Sequence, residues 1–177
     1  MPASSEKSQQ SVKYPPQPGQ GQEAYLAETR SRIGSSIKRA EQAMMAVKSK
    51  VLREYDLSVA QYAAMTSLYY VPGQSAAQLA RAAAVTPQTM ATILARLDAK
   101  SLITRVPSEV HSRVNIVTLT DAGEELVVQA DEKVRAVERA MSAEFTSQER
   151  EQLQDLLDRL IGFLEHKGAY AYERLTR

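Results

Sequence analysis

Apolar positions recur at helical spacing along most of the chain and alternate in only one region. Ile33, Ile37, Ala40, Met44, Val47 and Val51 follow at steps of four and three, which predicts a helix over 23–56 with one apolar stripe. Residues 1–22, rich in Ser, Gln, Pro and Gly, carry too few large apolar groups to build a core, so a disordered tail is expected. Leu57-Ser58 supplies an N-cap for a helix from Val59 to about Tyr70, and Val71-Pro72-Gly73-Gln74 breaks it by turn chemistry. Ser75 caps a short helix with Ala76, Leu79 and Ala80 inward. After Ala83-Ala84-Val85, Thr86 and Pro87 open another, the proline sitting at the first helical position, where its missing N–H is harmless.

In that fourth helix Met90, Ile93, Leu94 and Leu97 share the inner face, which leaves Gln88, Thr89, Ala91, Thr92, Ala95 and Arg96 outside. The alternating region follows, Ile103–Val106 and Val114–Thr120, and reads as two strands joined by a polar loop. From Asp121 a long helix is expected, with Leu126, Ala130, Val134, Val137, Met141 and Phe145 in one stripe. Thr146-Ser147-Gln148-Glu149 reads as a capping box for a last helix with Leu153, Leu156, Leu157, Leu160, Ile161 and Leu164 inside.

The predicted fold is mainly α with a small β wing. It is a winged helix-turn-helix over 57–120, flanked by an N-terminal helix (23–56) and C-terminal helices (121–177) that form a dimerisation region. The terminal stripes lie far apart in sequence around a DNA-reading unit and have no obvious apolar partner within one chain. A two-fold homodimer covers them, and it spaces two recognition helices about one DNA turn (~34 Å) apart, matching a pseudo-palindromic operator in double-stranded DNA.

Composition narrows the alternatives. With no cysteine, disulfides, thiolate metal sites and thiol redox sensing are excluded. No apolar run approaches the ~20 residues of a membrane span. The polar N-terminus lacks the apolar centre of a signal peptide, so a cytoplasmic protein without membrane partners is expected. The formal net charge of +1 conceals an asymmetry: 75–120 carries a net +3, and 121–165 a net −7. A polyanion is attracted to the first segment and repelled by the second.

Candidate DNA contacts follow from these placements. Gln88, Thr89 and Thr92 face bases from the recognition helix, and Arg96, further along, faces a phosphate or a guanine. Ser75 and Thr86 stand at helix N-termini, while Arg105, Ser112 and Arg113 belong to the wing, positioned for phosphates or the minor groove. Catalysis has no support: His111 and His166 lack ligand spacing, and no phosphate loop or nucleophile elbow is present. No metal and no cofactor are expected. The competing reading is a winged-helix protein-interaction module without specific DNA binding, because the recognition face is only weakly basic.

The chain resembles the MarR family of multiple-antibiotic-resistance-type regulators. The resemblance lies in Leu57-Ser58-Val59-Ala60-Gln61-Tyr62, Gln78-Leu79-Ala80, Val85-Thr86-Pro87-Gln88-Thr89 through Leu94, Arg96-Leu97, Arg113, and Val117-Thr118-Leu119-Thr120-Asp121-Ala122-Gly123. It extends over roughly 24–164. It implies a dimeric repressor that releases DNA when a small aromatic acid binds between the dimer helices and the winged lobe. On this resemblance Tyr62, Met65 and Tyr69 either line that pocket or are ordinary core. Arg32 and Arg39 either meet the ligand carboxylate or make surface ion pairs. The absence of Trp and Cys sets the chain apart from the urate-type and peroxide-type branches. Two positions depart from the family pattern. His111 stands where the wing commonly has Asp, and either replaces its bond or is a plain loop residue. Ala84 stands where the turn often has Gly; a positive φ there is unfavourable by about 1 kcal/mol, so a turn conformation suited to Ala is expected.

Overall fold

The structure, a computed structural model, describes Gly19, residues 21–107 and residues 115–166. The expected tail, Ser112, Arg113, His111 and Val114 therefore lie outside the described residues, apart from Gly19, Gly21 and Gln22. Among the described residues, seven α-helices, one 3₁₀ turn (Arg53–Tyr55, after α2) and three strands follow in order: α1 (Gly21–Ser31), α2 (Ile33–Leu52), α3 (Val59–Tyr70), β1 (Gln74–Ser75), α4 (Ala76–Ala82), α5 (Pro87–Ala99), β2 (Ile103–Pro107), β3 (Asn115–Leu119), α6 (Asp121–Ala143) and α7 (Ser147–His166). The chain divides into two units, 1–46 and 47–177.

In the first unit, the single helix expected over 23–56 is interrupted at Arg32. The reason is local. The Ser31 hydroxyl donates to the Glu28 carbonyl at 2.7 Å, the acceptor that the Arg32 amide would use in a continuous helix. Arg32 N–H turns instead to the Thr29 carbonyl at 3.4 Å, and the Thr29 hydroxyl occupies the Tyr25 carbonyl at 2.9 Å. Its guanidinium pairs with Glu28 at 2.7 Å.

The second unit is built around α3, α4 and α5 with the sheet behind them. The starts of α3, α4, α5 and α7 are closed by the side chains expected from the sequence, and that of α6 by Thr120, which the sequence reading did not single out as a cap. Ser58 and Gln61 form a reciprocal capping box at α3, and Ser75 and Gln78 another at α4. Thr86 accepts from the Thr89 amide with Pro87 inside the first turn of α5, and Thr146 and Glu149 bond reciprocally before α7. Inward apolar positions of α3, α4 and α5 meet Ile103 and Val117 of the sheet and Val127, Ala130 and Val134 of α6 in one core, with Leu52, Met65, Leu68, Leu79, Met90, Leu94 and Leu97 almost fully enclosed. Of the expected α6 stripe, only its upper part is covered; Met141 and Phe145 are exposed.

The sheet has one strand more than the sequence suggested. Gln74, read as turn, and Ser75, read as a helix cap, pair antiparallel with β3 (Gln74 opposite Val117), giving the order β1-β3-β2. Gly73, at φ 75°, turns the chain into this strand. Gln74 is then buried, and its amide donates to the Ser67 and Val71 carbonyls at 3.0 and 2.8 Å, closing the end of α3. No periodicity signals a two-residue strand held by one side-chain amide.

Ala84 does not avoid the left-handed region. It sits at φ 50° between α4 and α5, because the Val85 amide must reach back to the Ala80 carbonyl at 3.0 Å. At the far end of the unit, Gly123 passes directly over Leu102: a Cβ on Gly123 would stand 2.1 Å from the Leu102 carbonyl oxygen.

These two backbone sites respond oppositely to substitution. Ala84→Gly relieves a left-handed alanine and raises stability, net of the added chain entropy, by roughly 0.5–1 kcal/mol. Gly123→Ala forces α6 off β2 and lowers stability by about 1–3 kcal/mol or more. Urea midpoints at constant m-value check both; a stabilised Gly123→Ala would show that the close approach is not enforced.

Candidate functional site

The outer face of α5 carries Gln88, Thr89, Ala91, Thr92, Ala95, Arg96 and Ala99, all exposed, while Met90, Ile93, Leu94 and Leu97 anchor the opposite side. Small and polar groups therefore cover one side of a 13-residue helix. Within this face the Thr89 and Thr86 hydroxyls bond each other at 2.9 Å, and the Thr92 hydroxyl donates to the Gln88 carbonyl at 3.1 Å, leaving its methyl for apolar contact. The Gln88 amide has no side-chain partner among the described residues, so both its donor and its acceptor are available to a base edge.

Other expected contacts are placed differently. Ser75 and Thr86 spend their side chains on helix caps. Arg105 on β2 reaches back to Asp98 of α5 at 3.4 Å, an ion pair that ties the base of the wing to the recognition helix. Arg96 lines a shallow recess of about 510 Å³ together with Arg53, Asp56, Ser58, Gln61 and Lys100. Arg53 and Lys100 escaped the sequence reading, because they flank helices rather than lying on the periodic face.

A second concavity opens between α3 and α6. It has a volume of about 240 Å³ and is lined by Thr66, Tyr69, Tyr70, Val127, Val128, Asp131 and Arg135. A chain of hydrogen bonds runs along its wall. The Tyr62 hydroxyl donates to Asp131 Oδ1 at 2.6 Å, Arg135 Nε donates to Asp131 Oδ2, and Arg135 Nη2 donates to the Tyr70 hydroxyl at 2.9 Å. Tyr69 stands edge-on to Tyr70 with ring centroids 5.8 Å apart. The Thr66 hydroxyl is buried near the Tyr62 hydroxyl and, among the described residues, has no partner in good hydrogen-bonding geometry.

Of the expected ligand residues, Tyr69 lines this cavity and Tyr62 holds its wall through Asp131. Met65 is fully enclosed in the core, which is the ordinary-core alternative for that residue. Arg32 and Arg39 lie in the first unit, where Arg32 pairs with Glu28 and Arg39 donates to Ser36 at 3.3 Å. Asp131 and Arg135 were not anticipated. An Asp–Arg pair one helical turn apart is common on solvated helices, and the sequence contains no sign that Tyr62 joins it.

Electrostatics follow from this wall. Burial, reinforced by the bond to the Asp131 carboxylate, raises the Tyr62 hydroxyl to about 12. Partial burial pushes the Asp131 carboxyl upward, but the bonds from Arg135 and Tyr62 together outweigh it and hold the group below its ordinary 3.8. Asp131 in turn pulls the Arg135 guanidinium upward. Among the described residues, no group of three His, Asp or Glu side chains is placed to hold a metal, and no helix is long and apolar enough to cross a membrane.

A carboxyl lowered by folding contributes stability that is present above its unfolded pKa and lost as pH falls through its folded one. Asp131→Asn is therefore expected to be less stable than wild type at pH 7. That gap should close as the pH falls below 3.8. Paired thermal melts across that window read the difference, and a gap independent of pH would mean that the Asp131 charge contributes nothing.

Comparison with known proteins agrees with this architecture. The sequence model of the MarR family matches residues 55–114. The HTH-type transcriptional repressor Rv2887 of Mycobacterium tuberculosis is 32% identical over 112 residues, which span 63% of this chain and 81% of that protein. Rv2887 solved in complex with p-aminosalicylic acid superposes with a TM-score of 0.59 at 29% identity, covering 73% of this chain and 98% of the other. The transcriptional repressor CouR bound to a 23-mer DNA duplex superposes with a TM-score of 0.70 at 22% identity, covering 77% and 96%. By the extent and level of its identity to the mycobacterial repressor, this chain belongs to the MarR family.

Proposed function

We propose that the protein is a dimeric, sequence-specific transcriptional repressor, cytoplasmic, whose grip on a pseudo-palindromic operator is released by a small aromatic ligand. The observation that carries this reading is the outer face of α5, where only small and polar side chains stand on a helix anchored firmly from behind. Such a helix enters a major groove without steric conflict, and Gln88 has the two-point pairing that adenine offers. The wing, with Ser112 and Arg113, supplies backbone or minor-groove contacts in this reading. The solved CouR–duplex complex supports duplex DNA as the partner.

Dimerisation is supported by α7, in which no residue is buried and Leu153, Leu156, Leu157, Ile161 and Leu164 are all exposed. An apolar face of this length is unfavourable in water, and a second copy of the chain covers it by two-fold symmetry. Release by an aromatic ligand is supported by the cavity between Tyr69, Tyr70 and Arg135, and by the mycobacterial relative's complexes with p-aminosalicylic and salicylic acid.

Replacing Leu157 and Leu160 together with Asp is expected to yield monomers or unfolded chain; sedimentation reads this, and a folded wild-type monomer at micromolar concentration would refute the dimer. For DNA reading, binding-site selection with wild type should return a two-fold motif. Gln88→Ala should lower affinity for that site by about 1–3 kcal/mol and relax one symmetric pair of positions, with non-specific binding little changed. If wild type binds no duplex even at low salt, the protein is an interaction module and the repressor reading falls.

A further inference from the structure

The recess beside the C-terminal end of α5 lies off the base-reading turns and is not part of the ligand cavity. Its walls bring together three cationic side chains from separate elements: Arg53 from the 3₁₀ turn after α2, Arg96 from α5, and Lys100 just beyond α5. One carboxylate, Asp56, stands among them, so the recess is cationic overall. The Asp56 side chain is 92% exposed and is engaged by Lys100, whose ammonium touches both the Asp56 carboxylate, at 2.8 Å, and the Asp56 carbonyl. Lys100 is thereby held at the rim rather than left to sweep solvent. Arg53 and Arg96 have no side-chain hydrogen bond or ion pair among the described residues. The floor is the N-terminal end of α3, with Ser58 and Gln61, where the helix dipole also favours negative charge.

Its position relates it to the groove-facing surface. Arg96 and Ala99 line the recess and also belong to the exposed face of α5 that begins at Gln88. Thirteen residues of helix extend about 20 Å, whereas the major groove is about 12 Å wide. A helix whose first turns reach base edges therefore brings its later turns towards the groove wall, and that wall is a row of phosphates.

We propose that this recess is a backbone clamp that takes a DNA phosphate, with Arg53 and Arg96 as its direct donors and Lys100 as a rim cation oriented by Asp56. The proposal rests on the repressor reading above and extends the protein–DNA contact from α5 and the wing to the turn that precedes α3. A phosphodiester suits the site because two unpaired guanidiniums offer forked donors to its oxygens. The clamp carries no base information, so it contributes affinity and register without sequence preference.

The test uses the full chain and the duplex selected by wild type, with affinity measured over a range of salt concentrations. Arg53→Ala should bind about tenfold more weakly, flatten the slope of log affinity against log salt by about 0.9 for the lost phosphate, and select the same motif as wild type. Asp56→Asn should bind more tightly than wild type. Replacing single phosphates flanking the site with neutral methylphosphonates should reveal one symmetric pair of positions that weakens wild type but leaves Arg53→Ala unaffected. Unchanged thermal midpoints exclude a folding effect, and Lys100→Gln, expected to flatten the slope in the same direction, serves as a second variant. If wild type binds the duplex and Arg53→Ala keeps both its salt slope and its methylphosphonate sensitivity, the clamp is overturned while the repressor reading stands. If wild type binds no duplex, both fall together.

Discussion

One close backbone approach organises the second unit. The Leu102 carbonyl accepts the Thr120 amide at 3.1 Å, and Gly123 passes over the same oxygen with no room for a side chain. The Thr120 hydroxyl donates to Ser101 and accepts from the Gly123 amide, while the Leu102 amide returns to the Leu97 carbonyl of α5. The end of the recognition helix, the start of β2 and the first turn of α6 thus share a few backbone groups. Their relative directions follow from hydrogen-bond geometry and steric exclusion, both stiff constraints, rather than from side-chain packing, which yields more readily.

A second connection between the helix-turn-helix and α6 is softer. Tyr62 of α3 meets Asp131 of α6, and Arg135 carries the connection on to Tyr70. Arg135 is exposed, so solvent weakens its part of the chain, while the Tyr62–Asp131 bond is partly buried and less screened. In the proposed function a ligand in the adjoining cavity acts on the connection whose bonds are easier to exchange.

Charge separates along the chain in the same sense as the architecture. Arg53, Arg96 and Lys100 gather beside α5, whereas the segment that forms α6 and α7 carries a net −7 over 121–165. A polyanion is drawn towards one part of the second unit and turned away from the other before any specific contact forms. The acidic helices also bear the apolar face left open on α7, so a second copy and a nucleic acid do not compete for one surface in the proposed assembly.

Most elements of this fold are legible in the chain itself. Helical periodicity and the capping residues Ser58, Ser75, Thr86 and Thr146 place α3 to α7 closely, because these signals act within a few residues of one another. The outer face of α5 was legible for the same reason. Apart from the local break at Arg32, what the sequence left open depends on partners distant along the chain. Tyr62 and Asp131 lie 69 residues apart, and Lys100 and Asp56 lie 44 apart. The β1 strand exists only because β3 arrives beside it, and Ala84 accepts a left-handed conformation because the chain must return to Ala80. By itself, then, the sequence determined where α3 to α7 lie and which face of α3, α4 and α5 turns inward, since local hydrogen bonding and periodicity decide these, whereas the break at Arg32 between α1 and α2 left no mark in the periodicity. Tertiary structure alone decided which inward faces meet, which arginines find a carboxylate and which remain unpaired, because a stripe of apolar or charged residues specifies a face but not the group that covers it.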